Sequence, residues 1–246
     1  MPQYETVLLD ADMTLFDFRR SEREALRDTL RSFNLPWDEQ VLRDYAKINS
    51  ALWDAFARGE IDQDFLSIER FAALMRAHGG HADPWKVNHS YELALGETAY
   101  LLPGAEDFCR ALSGMGLTLA IATNGLPAAQ RGRYVRTGLD RYIPHLFISM
   151  ELGAQKPLPA FFDRICQALD IRDRSQAVMV GDGLGTDILG GNRAGLDTIW
   201  YNPDRLPLTG PARPTYTAGS YGEVLDLLSR PSAQVRSASP EKQPDL

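Results

Sequence analysis

Cysteine is scarce. Only Cys109 and Cys166 occur in 246 residues, and they stand far apart in helix-like segments. They match neither a CxxC motif nor a disulfide framework, which fits a reducing cytosol. Long apolar runs are also missing, so no segment approaches the length needed to span a bilayer. The start, MPQYETVLLDAD, has no basic stretch followed by an apolar run and a cleavage site. Export and membrane insertion are therefore not expected, and a cytoplasmic location is. Positive charge does not dominate either: 26 Lys and Arg stand against 33 Asp and Glu, a net charge of −7. Tight binding to long nucleic acid needs clustered Lys and Arg, so that class of partner is disfavoured. A local basic pocket for one phosphate, and hence a small anionic substrate, stays open.

What the chain does have is ordinary globular composition, 44% hydrophobic and 24% charged. That is enough for a sizeable core, arranged as one large domain or as a core with a smaller insertion. Residues 6–9 form a short β-type run that ends in Asp10-Ala11-Asp12. Similar runs recur at 117–123, 146–149, 177–180 and 198–201, separated by helix-like or turn-rich segments. The helices are marked by Phe108 and Leu112, by Phe161, Phe162, Ile165 and Leu169, and by residues 188–194. Gly116, Gly138 and Gly195 stand near helix ends. Right-handed crossovers between such units predict an α/β fold with a Rossmann-like parallel sheet, built from residues 1–16 and 102–230.

Residues 17–101 break the alternation, with helical periodicity over a stretch far too long for a loop. They predict an inserted helical cap. One helix carries Val41, Tyr45, Ile48, Leu52 and Phe56, and a second carries Phe65, Ile68, Phe71, Leu74 and Met75. His78, His81 and Asp83 flank glycines and read as a loop between cap helices rather than a metal site. Near the other end, Ser220 and Glu223 suggest a capping box before Val224, Leu225 and Leu228. Residues 231–246 lose hydrophobic pattern and are expected to be a disordered tail.

In open α/β sheets ligands bind beyond the carboxyl ends of strands, so the residues that follow each strand matter most. Asp10-Ala11-Asp12-Met13-Thr14 follows the first. Thr123-Asn124-Gly125 follows the second. Lys156-Pro157 comes next, and Gly181-Asp182 with Asp187 follows the 177–180 run. Taken singly, each has a plain structural explanation: a turn, a solvated lysine before proline, or Asp187 as a helix N-cap. Together, in this order and at strand ends, they resemble the haloacid dehalogenase superfamily. Its pattern is DxDxT, then Thr or Ser, then Lys, then GDxxxxD.

That resemblance implies a phosphomonoester hydrolase. Asp10 would be the nucleophile, forming an aspartyl phosphate, and Asp12 the general acid and base. Thr123 and the adjacent Asn124 amide would hold phosphate oxygens, and Lys156 would offset charge. Carboxylates brought together around a phosphate repel by about 4 kcal/mol per 4 Å pair at an effective dielectric of 20. A cation must offset this, and an all-oxygen site favours Mg²⁺. By the resemblance, its ligands are the carboxylates of Asp10 and Asp182, the Asp12 backbone carbonyl, and Asp187 directly or through water.

The insertion adds Ile48-Asn49, Leu52-Trp53, Gly59, Ile61 and Arg70-Phe71, and the core adds LFDF at 15–18 and DTIWYNP at 197–203. These resemble the bacterial pyrimidine 5′-nucleotidase branch of the superfamily, which implies a nucleoside 5′-monophosphate substrate. Tyr45, Asn49 and Trp53 share a helix face beside the apolar stripe, where an amide and aromatics can read a base, or simply fill the cap. Arg70 is open between substrate contact and surface charge. Met13 and the glycine-rich 181–185 stretch depart from the branch without removing a carboxylate. A sugar-phosphate phosphatase or phosphoglucomutase-like enzyme shares every core motif. A dehalogenase and a non-enzymatic phosphate-binding protein are the remaining readings.

Overall fold

The five apolar runs become strands of one sheet. The computed structural model describes residues 3–231. Its strands are β1 (Thr6–Leu9), β2 (Thr118–Thr123), β3 (His145–Ile148), β4 (Ala177–Gly181), β5 (Asp197–Tyr201) and β6 (Tyr216–Ala218). They lie in the order β3-β2-β1-β4-β5-β6, and every neighbouring pair is parallel. β6 has no counterpart in the sequence reading, because three residues are too few to show a period-two pattern; pairing with β5 makes them a strand. The third run sits one residue earlier than expected, since Ser149 already begins a helical turn. The tail expected over 231–246 lies outside the described residues from 232 onward.

Between β1 and residue 101 the chain forms four helices, α1 (Phe18–Ser32), α2 (Glu39–Ala57), α3 (Gln63–His78) and α4 (Pro84–Glu97). Each starts on an aspartate. Asp17, Asp38, Asp62 and Asp83 accept backbone N–H bonds from Arg20, Gln40 and Val41, Phe65 and Trp85, respectively. Such a cap satisfies an orphan donor and faces the positive end of the helix, worth about 1 kcal/mol each. The four buried faces close around Tyr45, Phe71 and Tyr91, whose ring centroids lie 5.5–6.0 Å apart.

The α3 stripe needs correction. Phe65 is 51% and Ile68 39% exposed, whereas Leu66, Arg70, Phe71 and Leu74 are buried. At about 100° per residue, Phe65 and Ile68 fall roughly 140–160° round the helix from Arg70. The inward arc therefore centres on a charged residue, which a search for apolar spacing passes over.

The helical segment leaves and returns side by side. Phe16 bridges Leu101 in antiparallel fashion, the Asp17 N–H donates to the Tyr100 carbonyl at 2.9 Å, and the Leu102 N–H donates to the Leu15 carbonyl at 2.9 Å. These bonds fix the cap to the turn that follows β1.

The rest of the core follows from α5 (Ala105–Gly114), α6 (Pro127–Arg136), α7 (Ser149–Leu152), α8 (Pro159–Ala168), α9 (Leu189–Ala194) and α10 (Tyr221–Leu228). Val7, Leu9, Ile121, Val178 and Val180 turn to one side of the sheet, against Phe108, Leu112 and Val224. Leu8, Ala120, Ala122 and Met179 turn to the other, against Phe161, Phe162 and Ile165 of α8. A sheet covered on both faces explains why its strands read as near-continuous apolar runs. At α10 the Ser220 hydroxyl accepts the Glu223 N–H at 3.2 Å, while the Glu223 carboxylate reaches back to the Gly219 N–H at 2.8 Å. The capping box is thus closed one residue ahead of its usual partner.

Truncating Phe71 to Ala is expected to destabilise the protein by about 3–5 kcal/mol, through lost transfer energy and a cavity in the cap. Phe65→Ala should cost no more than about 0.5 kcal/mol. Urea unfolding followed by far-ultraviolet circular dichroism checks both, and equal losses would contradict the inward face assigned to α3.

Candidate active site

The chain runs outward from β1 to β2 and β3, then returns to the opposite side of β1 for β4, β5 and β6. The topological switch point therefore lies at β1 and β4, where ligands collect in open α/β sheets. Asp10 leaves β1 there, its N–H donating to the Val180 carbonyl at 2.9 Å. Lys156 arrives from the loop before α8 and is only 2% exposed. Its ammonium donates to Asp10 Oδ1 at 2.6 Å, Asp187 Oδ1 at 2.6 Å and the Ala122 carbonyl at 2.7 Å, so all three protons are committed. Asn124 clamps the same residue through its backbone. The Asn124 amide donates to the Lys156 carbonyl and accepts the Lys156 N–H, each at 2.9 Å.

Asp10, Asp182 and Asp187 each present an oxygen within 4.8 Å of the others. Burial, reinforced by the Asp187 charge, holds Asp10 well above the usual carboxylate range despite the pull of Lys156. Burial and Asp187 likewise push Asp182 up to about 7. On Lys156 burial acts downward, but the charges of Asp10 and Asp187 outweigh it and hold the ammonium above its ordinary value. With all three carboxylates ionised, the single ammonium would leave two negative charges in a largely buried site. An oxygen-only donor set with that balance fits a hard divalent cation such as Mg²⁺.

Local geometry shapes this cluster. Asp187 is not a helix N-cap; it lies in a widened π-type turn, Leu184–Ile188, that folds back over the end of β4. Its Oδ2 accepts the Gly183 N–H at 2.9 Å, and a Cβ at Gly181 would overlap the Asp187 carboxylate. The glycine richness of 181–185 therefore has a steric cause at that position. Asp182 is oriented by Thr14, whose hydroxyl accepts its N–H at 3.1 Å and lies 3.3 Å from its Oδ1. Trp200 Nε1 donates to its carbonyl at 3.0 Å. Met13 holds the intervening turn at φ 61°, the left-handed region where a glycine is free of strain.

Asp12 stands apart from the cluster. Its Oδ1 accepts from Arg133 Nη1 at 2.6 Å and its Oδ2 from Gln130 Nε2 at 2.8 Å. Arg133 is 1% exposed, with its guanidinium 4.9 Å from the Phe16 ring centroid and 5.7 Å from that of Phe18. The sequence reading misses both α6 residues. Their signal was available: a helix opened by Pro127 directly after Thr123-Asn124-Gly125, with Gln130 and Arg133 three apart on one face.

Above these groups lies a cavity of about 280 Å³, lined from the core by Asp10, Asp12, Thr123 and Lys156 and from the cap by Trp53 and Arg70. Trp53, open between base contact and cap core, lines the cavity. Asn49 does not line the cavity: it is buried in the cap, its Nδ2 donating to Glu22 Oε1 at 2.8 Å. Tyr45 is likewise cap core. Arg70, open between substrate and surface, is buried against the cavity. The Thr123 hydroxyl accepts the Gly125 N–H at 3.0 Å. His78 sits 3.2 Å from Asp44 and joins no metal-like group. Among the described residues no helix is long and apolar enough to cross a membrane.

Comparison with known proteins agrees with this geometry. The family model for haloacid dehalogenase-like hydrolases matches residues 4–195. Pyrimidine 5′-nucleotidase PynA of Streptococcus pneumoniae is 37% identical over 92% of this chain and 96% of its own. Pyrimidine 5′-nucleotidase YjjG of Escherichia coli is 33% identical over 93% of this chain and 99% of its own. The magnesium-bound crystal structure of the HAD-hydrolase YfnB from Bacillus subtilis superposes with a TM-score of 0.86 at 33% identity, covering 93% of this chain and 100% of that one. A match that spans the sheet, the helical insertion and every strand-tip residue leaves one assignment: the chain belongs to the haloacid dehalogenase-like hydrolases.

Proposed function

We propose that the protein is a magnesium-dependent phosphatase of nucleoside 5′-monophosphates, with pyrimidine nucleotides as its preferred class. What supports this most is the pair of carboxylates two residues apart in two different settings. Asp10 is bonded to Lys156 inside the buried cluster, and Asp12 is turned toward α6. Two carboxyls with separate environments can divide nucleophilic and proton-transfer work.

In the proposed reaction an Asp10 carboxylate oxygen attacks phosphorus and the bond to the nucleoside oxygen breaks, giving an aspartyl phosphate. Asp12 gives its proton to the departing alkoxide, then takes one from the water that hydrolyses the acyl phosphate and restores Asp10. Lys156, bonded to one Asp10 oxygen, fixes that side chain and offsets charge as a phosphate dianion approaches. Thr123 and the Asn124 backbone amide bind phosphate oxygens. When bound by Asp10, Asp182, the Asp12 carbonyl and Asp187, Mg²⁺ supplies the two positive charges the cluster lacks. Gln130 and Arg133 act as positioning residues: both Asp12 oxygens are committed to them, and substrate entry has to free one.

The nucleotide preference is supported by the relatives named as pyrimidine 5′-nucleotidases, whose likeness extends through the helical insertion. It is also supported by the walls of the cavity, where Phe18, Trp53, Phe56 and Tyr91 gather. Stacking on an aromatic is worth about 1–3 kcal/mol per base. A sugar phosphate would use the same core and gain little from those rings.

Purified protein is expected to release phosphate from UMP and dTMP, to lose that activity with Asp10→Asn, and to lose about 10²- to 10⁴-fold in kcat with Asp12→Asn. Higher kcat/KM for a hexose phosphate than for every nucleotide tested would overturn the substrate class and spare the chemistry. Arg133→Met should lower kcat about 10- to 100-fold with little change in KM, and Arg133→Lys should recover part of the loss; a change in KM alone would contradict a positioning role. Mg²⁺ at a hundred times its Kd should stabilise the fold by about 2.7 kcal/mol, a rise in Tm of roughly 5–10 °C. EDTA should reverse the rise and Asp182→Asn should remove it. A Tm indifferent to Mg²⁺ in the unmodified protein would eliminate the metal site.

A further inference from the structure

Arg70 is, with Arg133, one of the two largest fully buried side chains among the described residues, 2% exposed on α3, and it lines the cavity together with Tyr91. Its fork is held in place. Nε, at 3.1 Å, and Nη2 both donate to Asn88 Oδ1, and Asn88 in turn donates to Glu92 Oε1 at 2.7 Å. The guanidinium carbon lies 4.8 Å from the Tyr91 ring centroid and 5.5 Å from that of Phe71. Nη1 makes no hydrogen bond within 3.5 Å to the described residues, although the Tyr45 hydroxyl lies beside the guanidinium, and the buried Tyr91 hydroxyl, near Glu22 and Tyr45, makes none either. A rigid cation with donor capacity to spare, at the cap side of a cavity whose other side holds Asp10 and Lys156, is a recognition element without an assigned ligand.

Its surroundings select the ligand's charge. Glu22 is buried beside Arg70, and Glu92 approaches it at 3.9 Å. The positive charge is therefore already matched inside the cap. A second phosphate or a carboxylate at this end would face Glu22, Glu92 and, in the cavity wall, Asp54. A neutral acceptor meets no such repulsion. Phe18, Trp53, Phe56 and Leu95 complete a largely apolar lining, which favours a flat ring. Flat, neutral and bearing exocyclic acceptors describes a pyrimidine base: uracil and thymine carry two ring carbonyls and cytosine one.

We propose that Arg70, anchored by Asn88, reads the base of the substrate by donating to a ring carbonyl of a pyrimidine nucleotide whose phosphate is seated at Asp10 and Lys156. This rests on the nucleotide phosphatase assignment above, and it adds the residue that sets base preference. Arg70 is a specificity determinant that touches the substrate far from the reacting phosphorus, so its contribution is expected in KM.

The test compares kcat/KM for UMP and for ribose 5-phosphate, which lacks the base, in the unmodified enzyme and in Arg70→Met, Arg70→Lys and Asn88→Ala. The ratio of the two values, taken on one preparation, is independent of how much of it is folded. The unmodified enzyme should favour UMP, and Arg70→Met should lower that preference about 10- to 100-fold through KM, the range for a charged hydrogen bond. Arg70→Lys keeps the charge without the fork and should lose part of the preference. It also carries the test should the Met variant fail to fold. Asn88→Ala releases the anchor and should lose about 3- to 10-fold. A preference for UMP that persists unchanged in the Arg70 variants overturns the proposal alone. An unmodified enzyme that hydrolyses ribose 5-phosphate as well as UMP overturns the nucleotide assignment and the proposal with it.

Discussion

The Lys156 ammonium is the tie on which the active centre depends. Three carboxylates, Asp10, Asp182 and Asp187, converge where the sheet excludes water. Each pair at about 4 Å repels by roughly 4 kcal/mol at an effective dielectric of 20. Lys156 offsets one of those charges and spends its three protons on Asp10, Asp187 and the Ala122 carbonyl. In doing so it joins the end of β1, the end of β2 and the turn after β4, three segments more than thirty residues apart in sequence. Removing the ammonium would leave buried like charges facing one another, a larger penalty than the loss of any one bond. Lys156 balances that charge only in part, and the remaining deficit suits the cluster to the divalent cation of the proposed reaction.

Beyond that tie the two carboxylates of the first strand tip stand in different surroundings. Asp10 ends β1, inside the cluster, where Lys156 fixes it. Asp12 lies past the point where the strand gives way to a turn, and the left-handed Met13 and the bridge from Asp12 to Phe16 turn the chain toward α6. One strand end thus delivers a carboxylate to the buried ion site and another to a face shared with the cap. The separation is a consequence of backbone geometry over two residues, with Thr14 returning to hold Asp182.

Most of this core site was legible in the sequence, for a definite reason. Asp10, Asp12, Thr123, Asn124, Asp182 and Asp187 stand at or just beyond the ends of apolar runs that a parallel sheet brings to one edge, and Lys156 in a loop between them, so their order along the chain and the family resemblance together pick them out. What was not legible depends on how separate elements pack. Gln130 and Arg133 take on meaning only once α6 lies against the turn after β1. Phe65 and Ile68 look like core by spacing, yet the buried arc of α3 turns on Arg70, which is accommodated inward because Asn88 and Glu92 on α4 receive it. Asn49 shares a face with Trp53, but Glu22 on α1 captures its amide. β6 is too short to leave a pattern before β5 is there to pair with it.

The cap and the core meet where these unforeseen residues sit. α4, which carries Tyr91 and Asn88, crosses α6, which carries Gln130 and Arg133, at two glycines. A Cβ on Gly132 would stand 2.7 Å from the Gly96 carbonyl oxygen, and a Cβ on Gly96 3.1 Å from that of Ala128. Backbones so close leave no side-chain layer to absorb a shift, because packed interiors transmit displacement rather than damp it. The cap end of the cavity and the helix that holds Asp12 are therefore directly adjacent.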